Sequence, residues 1–163
     1  MRRGSLAKYS DIRSTIRTGD ILAWSHTGNK SFYDFKLWLV KLFTKSKFTH
    51  VGIAWVVGSR VFILESVSAG VRIYPLSLAL PCYLVSKGHL SSEQLTFAIS
   101  KAGQEYSTIE CIKAYFNSNN LSNSSWQCAE YVCSVLNLPC RATPADVVKY
   151  LLDRGMHIEE LSI

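Results

Sequence analysis

The sequence predicts an α+β domain in which an antiparallel sheet packs against helices, and three observations carry that prediction. Strand-like runs fill the first half of the chain, helical periodicity fills the second, and polar turn pairs separate the runs. Composition agrees: 163 residues, 48% hydrophobic and 18% charged, make one domain spanning residues 1–163. A chain of that size buries about two-thirds of its unfolded surface.

Residues 11–18 lead into Gly19-Asp20, and Ile21-Leu22-Ala23-Trp24 reads as a short strand. Residues 32–43 read as a helix, with Phe32, Phe35, Leu39 and Leu42 at helical spacing and lysines elsewhere. A basic amphipathic helix suits a membrane surface. It also suits a helix packed on a sheet, the role that a mixed domain has to fill. Residues 50–57 then form a strand, Gly58-Ser59 a tight turn, and residues 60–66 the returning strand. Gly70-Val71-Arg72-Ile73-Tyr74 continues as a third strand that Pro75 ends, and residues 81–86 add a fourth.

The second half turns helical. Ser91-Ser92-Glu93-Gln94 resembles a capping box ahead of Leu95, Ala98, Ile99 and Ala102. Residues 109–116 form a short helix, residues 117–125 a polar loop, and residues 126–136 another helix. Thr143-Pro144 caps a last helix that runs to Arg154 and stops at Gly155.

Several function classes are excluded or weakened. The longest apolar stretch, residues 73–85, is broken by Pro75 and Pro81 and falls short of the roughly 18 residues a membrane helix needs. Arg2 and Arg3 are followed by no apolar segment, so no secretory leader is visible and a cytoplasmic location is expected. The net charge is +6, with Arg2, Arg3, Lys8, Arg13 and Arg17 facing only Asp11 near the start. Lys36, Lys41, Lys45 and Lys47 form a second basic stretch. Such a surface favours contact with anionic lipids, phosphate backbones or acidic wall polymers, and it equally serves solubility alone. No specific nucleic-acid partner is expected.

Five cysteines (Cys82, Cys111, Cys128, Cys133 and Cys140) include no C-x-x-C pair and no histidine at zinc-ligand spacing. No disulfide framework, metal or cofactor is therefore expected, and most of the cysteines read as small buried apolar residues. Cys128 stands apart. It follows Asn123-Ser124-Ser125, all helix N-cap types, and precedes Ala129, Val132, Val135 and Leu136 at helical spacing. That address places it in the first helical turn, where unpaired N–H groups and the helix dipole stabilise a thiolate and a developing oxyanion. Cys133, five residues on, lies about 140° around the helix.

A thiolate nucleophile needs a base and a group to orient that base. His50 opens a strand, a rigid platform for an imidazole. An ideal two-residue turn at Gly58-Ser59 pairs residue i with residue 117 − i, which sets Glu65 opposite Gly52 and on the face of His50. A register slip of one would reverse that face and leave Glu65 a surface carboxylate. His26 is the rival base, His89 and His157 read as surface residues, and Glu130 serves the start of the helix electrostatically.

These residues resemble a known pattern. Gly19-Asp20-Ile21-Leu22, Thr49-His50-Val51-Gly52-Ile53, and Glu65-Ser66 followed by Gly70-Val71 are similar to the core of the NlpC-type cell-wall peptidase superfamily. In the usual order of that superfamily the cysteine helix comes first. Here Cys128-Ala129-Glu130-Tyr131-Val132 follows the strands, which resembles the circularly permuted branch containing YiiX-like proteins and the lecithin:retinol acyltransferase group. Gly103-Gln104-Glu105-Tyr106 and Thr143-Pro144-Ala145-Asp146 extend the similarity over residues 9–150.

The resemblance implies a permuted papain-like fold with Cys128 as nucleophile, His50 as base and Glu65 as the orienting residue. A histidine is common at that third position, so Glu65 points to the YiiX-like branch and away from standard wall-peptide specificity. The implied activity is a thiol hydrolase acting on peptide or acyl substrates, peptidoglycan or lipid among them, through a thioester. A lipid acyltransferase and a catalytically silent binding module are the alternatives. Trp24, Trp55 and Trp126 are candidates to wall the cleft, and a short basic chain of this kind suits a phage or mobile-element product as well as a housekeeping enzyme.

Overall fold

The computed structural model describes residues 6–25, 48–67, 69–103, 124–138 and 143–163. Seven strands form one sheet: β1 (Leu6–Lys8), β2 (Ile21–Ser25), β3 (Phe48–Val57), β4 (Arg60–Val67), β5 (Gly70–Pro75), β6 (Cys82–Ser86) and β7 (His157–Ser162). Their order across the sheet is β1-β7-β6-β2-β3-β4-β5. Four α-helices are described: α1 (Tyr9–Ile12), α2 (Ser92–Ser100), α3 (Ser124–Leu136) and α4 (Pro144–Leu152). The fold is α+β, as the sequence predicts.

One expectation needs correcting. The sheet is mixed, because β1 pairs in parallel with β7 while the other pairs are antiparallel. Both terminal strands escape the sequence pattern for a physical reason. β1 has three residues, and the His-Ile-Glu-Glu-Leu-Ser of β7 carries too many polar side chains to alternate clearly. His157, expected in a tail, is the exposed first residue of β7.

Both faces of the sheet are covered. Ile21, Ala23, Val51, Ile53, Leu64 and Val85 pack toward Ala129, Val132 and Val135 of α3 and Val147, Val148 and Leu151 of α4. Leu22, Ala54, Val61, Ile63, Leu84 and Leu161 form a second core with Ile16 and Leu76. That double burial explains why β2, β3 and β4 read as continuous apolar runs instead of alternating ones. Each large side chain so buried contributes about 1.5–3 kcal/mol.

The turn chemistry is local and legible. Val57 pairs with Arg60 and Ile53 with Leu64, the register that a two-residue turn at Gly58-Ser59 dictates. Gly58 takes φ +59°, which such a turn requires of its first residue. Ser91 caps α2 reciprocally: its hydroxyl accepts from the Gln94 N–H at 3.1 Å, and the Gln94 side chain accepts from the Ser91 N–H at 3.0 Å. Thr143 and Asp146 form the same box on α4, with Pro144 beginning the helix. Replacing Thr143 with alanine is expected to cost about 1 kcal/mol in urea unfolding, and with serine far less. Tyr131 of α3 donates to the Ala98 carbonyl at 2.9 Å, which ties α3 to α2.

A second staple forms where the chain enters β2. The buried Asp20 carboxylate accepts from the N–H groups of Arg17 at 2.8 Å and Gly88 at 2.9 Å. The Gly19 N–H donates to the Ala54 carbonyl, and the Ala54 N–H to the Asp20 carbonyl. Gly19 holds φ +106°, and a Cβ there would sit 2.7 Å from the Gly88 oxygen and 2.8 Å from the Leu90 nitrogen. The Gly19-Asp20 motif is therefore structural: it fixes β2 against β3 and the turn at residues 87–90. Among the described residues no helix is long and apolar enough to cross a membrane.

Candidate active site

β3, β4 and β5 place three charged side chains side by side. His50 lies near the start of β3, directly opposite Trp24 of β2. Glu65 lies on β4, directly opposite Arg72 of β5. The β3–β4 register continues from the Ile53–Leu64 pair to set Glu65 against Gly52. A Cβ on Gly52 would meet Ile63 Cγ2 at 2.7 Å and Glu65 Cβ at 3.3 Å. Glycine at 52 thus leaves room for Glu65 to lean diagonally onto His50.

His50 Nε2 and Glu65 Oε2 are 2.5 Å apart. The imidazole also hydrogen-bonds the Cys128 side chain on α3. With Nε2 committed to the carboxylate, Nδ1 is the nitrogen left to serve the sulfur. The other carboxylate oxygen, Oε1, accepts from Arg72 Nε at 2.7 Å and lies 2.7 Å from Nη2. Glu65 is only 4% exposed, whereas the His50 and Arg72 side chains are 25% and 49% exposed.

Burial and charge compete at both titrating groups. Burial works against protonation of His50, but the charge and hydrogen bond of Cys128, followed by those of Glu65, outweigh it and raise the imidazole to about 10. Burial would raise the Glu65 carboxyl, yet the hydrogen bond and charge of His50, then those of Arg72, hold it below the usual carboxylate range. The arrangement favours the protonated imidazole beside the Glu65 carboxylate across the neutral range.

Cys128 is fully buried, but its helical address differs from the sequence expectation. α3 runs from Ser124, so Cys128 is its fifth residue and lies in the second turn. The first four N–H groups of a helix have no acceptor within it, and Cys128 stands just past them. The two extra residues arise because Ser124 and Ser125, read as cap residues, are themselves helical. Glu130, seventh in the helix, is likewise beyond the first turn.

The other cysteines separate by environment. Cys82 is buried in the second core, and burial pushes its thiol up to about 12, so it is inert at neutral pH. Cys133 is buried, as expected of most of the cysteines, and it is disulfide-bonded. Sequence spacing alone does not reveal such a pairing.

Trp24 packs its ring 5.3 Å from that of His50 at 46°, and its indole N–H donates to the Ala79 carbonyl at 2.6 Å. Trp55 packs instead against Phe62, 6.0 Å between ring centres, so it belongs to the sheet packing and not to the trio. Arg72 is the site residue that the sequence reading missed. The signal was present: Val67 pairs with Gly70 across a two-residue connection, and the same arithmetic that placed Glu65 against Gly52 places Arg72 against Glu65. His26, Cys111, Cys140, the Trp126 side chain, the helices expected at 32–43 and 109–116, and the motif residues 104–106 lie outside the described residues. Among the described residues, no three His, Cys, Asp or Glu side chains are grouped so as to hold a metal ion.

No protein-family model and no curated protein matches the sequence. Among solved structures, the crystal structure of metalloprotein yiiX from Escherichia coli O157:H7 is similar, with 21% identity and a TM-score of 0.49. The likeness covers 74% of this chain, which spans 64% of the length of that protein.

Proposed function

We propose that the chain is a cysteine-dependent hydrolase of the peptidase or amidase type, with Cys128 as nucleophile, His50 as base and Glu65 as the residue that orients the base. The observation that carries this reading is the continuous contact from the Cys128 side chain through the His50 ring to Glu65. A carboxylate on Nε2 fixes the ring and stabilises its cation, the role a third residue has in nucleophilic triads generally. The Cys128 thiolate attacks an amide carbonyl, and a C–S bond forms as the oxyanion develops. Imidazolium Nδ1 then gives its proton to the departing nitrogen, the C–N bond breaks, and a thioester remains for water to cleave. Donors for the oxyanion are expected among the N–H groups of the first turn of α3.

Peptide amides, cell-wall peptides among them, are the proposed substrates. Lipid esters suit the same thiol chemistry and would make the protein an acyl hydrolase or acyltransferase. Mass analysis of the adduct left on Cys128 by each substrate class separates the two.

The reading is tested by iodoacetamide labelling at about pH 6.5 with peptide mapping. Cys128 is expected to be the rapidly labelled cysteine. An imidazolium beside a cysteine is what makes the sulfur a reactive nucleophile at mildly acidic pH. His50→Ala should therefore slow the labelling of Cys128 about 100-fold. Equal labelling rates at Cys128 in the two proteins would sink the proposal.

A further inference from the structure

We propose that Arg72 is a positioning residue for the trio: it fixes the Glu65 carboxylate, keeps it ionised, and so holds the His50 proton on Nε2. The inference rests on the catalytic reading of Cys128, His50 and Glu65.

Geometry supplies the first argument. The terminal torsion of a glutamate is broad, so an isolated carboxylate offers either oxygen to a neighbour. Two donors of one planar guanidinium converge on Oε1, and this leaves Oε2 for His50. Arg72 is itself held: it is the cross-strand partner of Glu65, and its guanidinium lies 4.5 Å from the centre of the Tyr74 ring.

Charge through the reaction supplies the second. Among the described residues, the charged and titrating groups acting on Glu65 and His50 are His50 from β3, Arg72 from β5 and Cys128 from α3. β2 presents the uncharged Trp24 ring to His50. Cys128 and His50 both lose their charge when the thiolate is acylated and the imidazolium hands its proton to the leaving nitrogen. Glu65 would then be a buried carboxylate beside a neutral ring, free to draw the proton off Nε2. The guanidinium stays charged throughout, so the carboxylate keeps a cation at every stage.

Removing a nearby positive charge favours protonated forms. Arg72→Gln is therefore expected to move the acid limb of the Cys128 alkylation profile up by about half a pH unit, a loss of roughly threefold below the limb. The His50 titration, followed by NMR and assigned through a His50→Gln variant, should move up with it. Arg72→Lys keeps the charge and should restore the limb, while its ammonium, a point charge without the planar fork, leaves the plateau rate low. In a Glu65→Gln background, Arg72→Gln should move neither the limb nor the His50 titration further. An unshifted His50 titration in Arg72→Gln overturns the inference, as does an equal shift with Glu65 already replaced. If His50→Ala leaves the alkylation limb in place, the catalytic reading fails instead, and the NMR titration still decides the role of Arg72.

Discussion

Glu65→Gln is expected to slow Cys128 alkylation at about pH 6.5 about tenfold and to change how stability depends on pH. The amide keeps the size of the carboxylate but cannot balance the imidazolium, so the His50 ring loses its carboxylate partner. Arg72 loses its acceptor at the same time, although with half of its side chain exposed it can turn to water. The stability effect has a definite sign. His50 is raised from 6.5 to about 10, so its contribution is full below 6.5 and is lost as pH rises toward 10. Glu65 is lowered from 4.5, so its contribution is present above that value and disappears as pH falls through the depressed one. Urea unfolding across pH should then show a wild-type maximum between these limits. Glu65→Gln should flatten the acid side and reduce the alkaline slope, and His50→Gln should remove most of the alkaline slope. Parallel curves for all three proteins would contradict the account.

Gly19→Ala is expected to cost about 3–5 kcal/mol, a large share of the 5–15 kcal/mol by which such a domain is stable. Two penalties add. The φ of +106° lies where side-chain-bearing residues rarely go, and the new Cβ would press on the Gly88 carbonyl and the Leu90 nitrogen. Both obstacles are backbone, so no side chain can swing away. Gly88, with φ +96°, is the control: nothing lies within 4 Å of a Cβ there, so Gly88→Ala pays only the conformational cost, about 1–2 kcal/mol. Thermal or urea unfolding of the two variants checks the difference. Equal losses would show that contact with the 88–90 backbone contributes nothing.

How far the sequence reveals the site depends on whether its information is local. Two-residue turns fix register by arithmetic, and that is why Glu65 and His50 were readable as neighbours. Capping boxes at Ser91 and Thr143 are equally local, since donor and acceptor lie three residues apart. The address of Cys128 was only partly readable. Serines favour N-caps but also begin helices, so the helix starts two residues earlier than the sequence pattern suggests. β1 and β7 were not readable at all, because a parallel pair between distant segments leaves no turn between them to mark it.

The β1–β7 pairing has a topological consequence. Leu6 lies beside Glu160 and Lys8 beside Ser162, so the first and last strands described close the chain nearly into a ring. A short tether from the end of β7 back to the start of β1 would join them without disturbing a strand pair. Such a ring could be opened between α2 and α3, giving a polypeptide that starts with the cysteine helix and reaches the His50 and Glu65 hairpin afterwards. Each side chain would keep its neighbours. The site is thus a property of the spatial arrangement, and the order in which its parts are synthesised is free to vary.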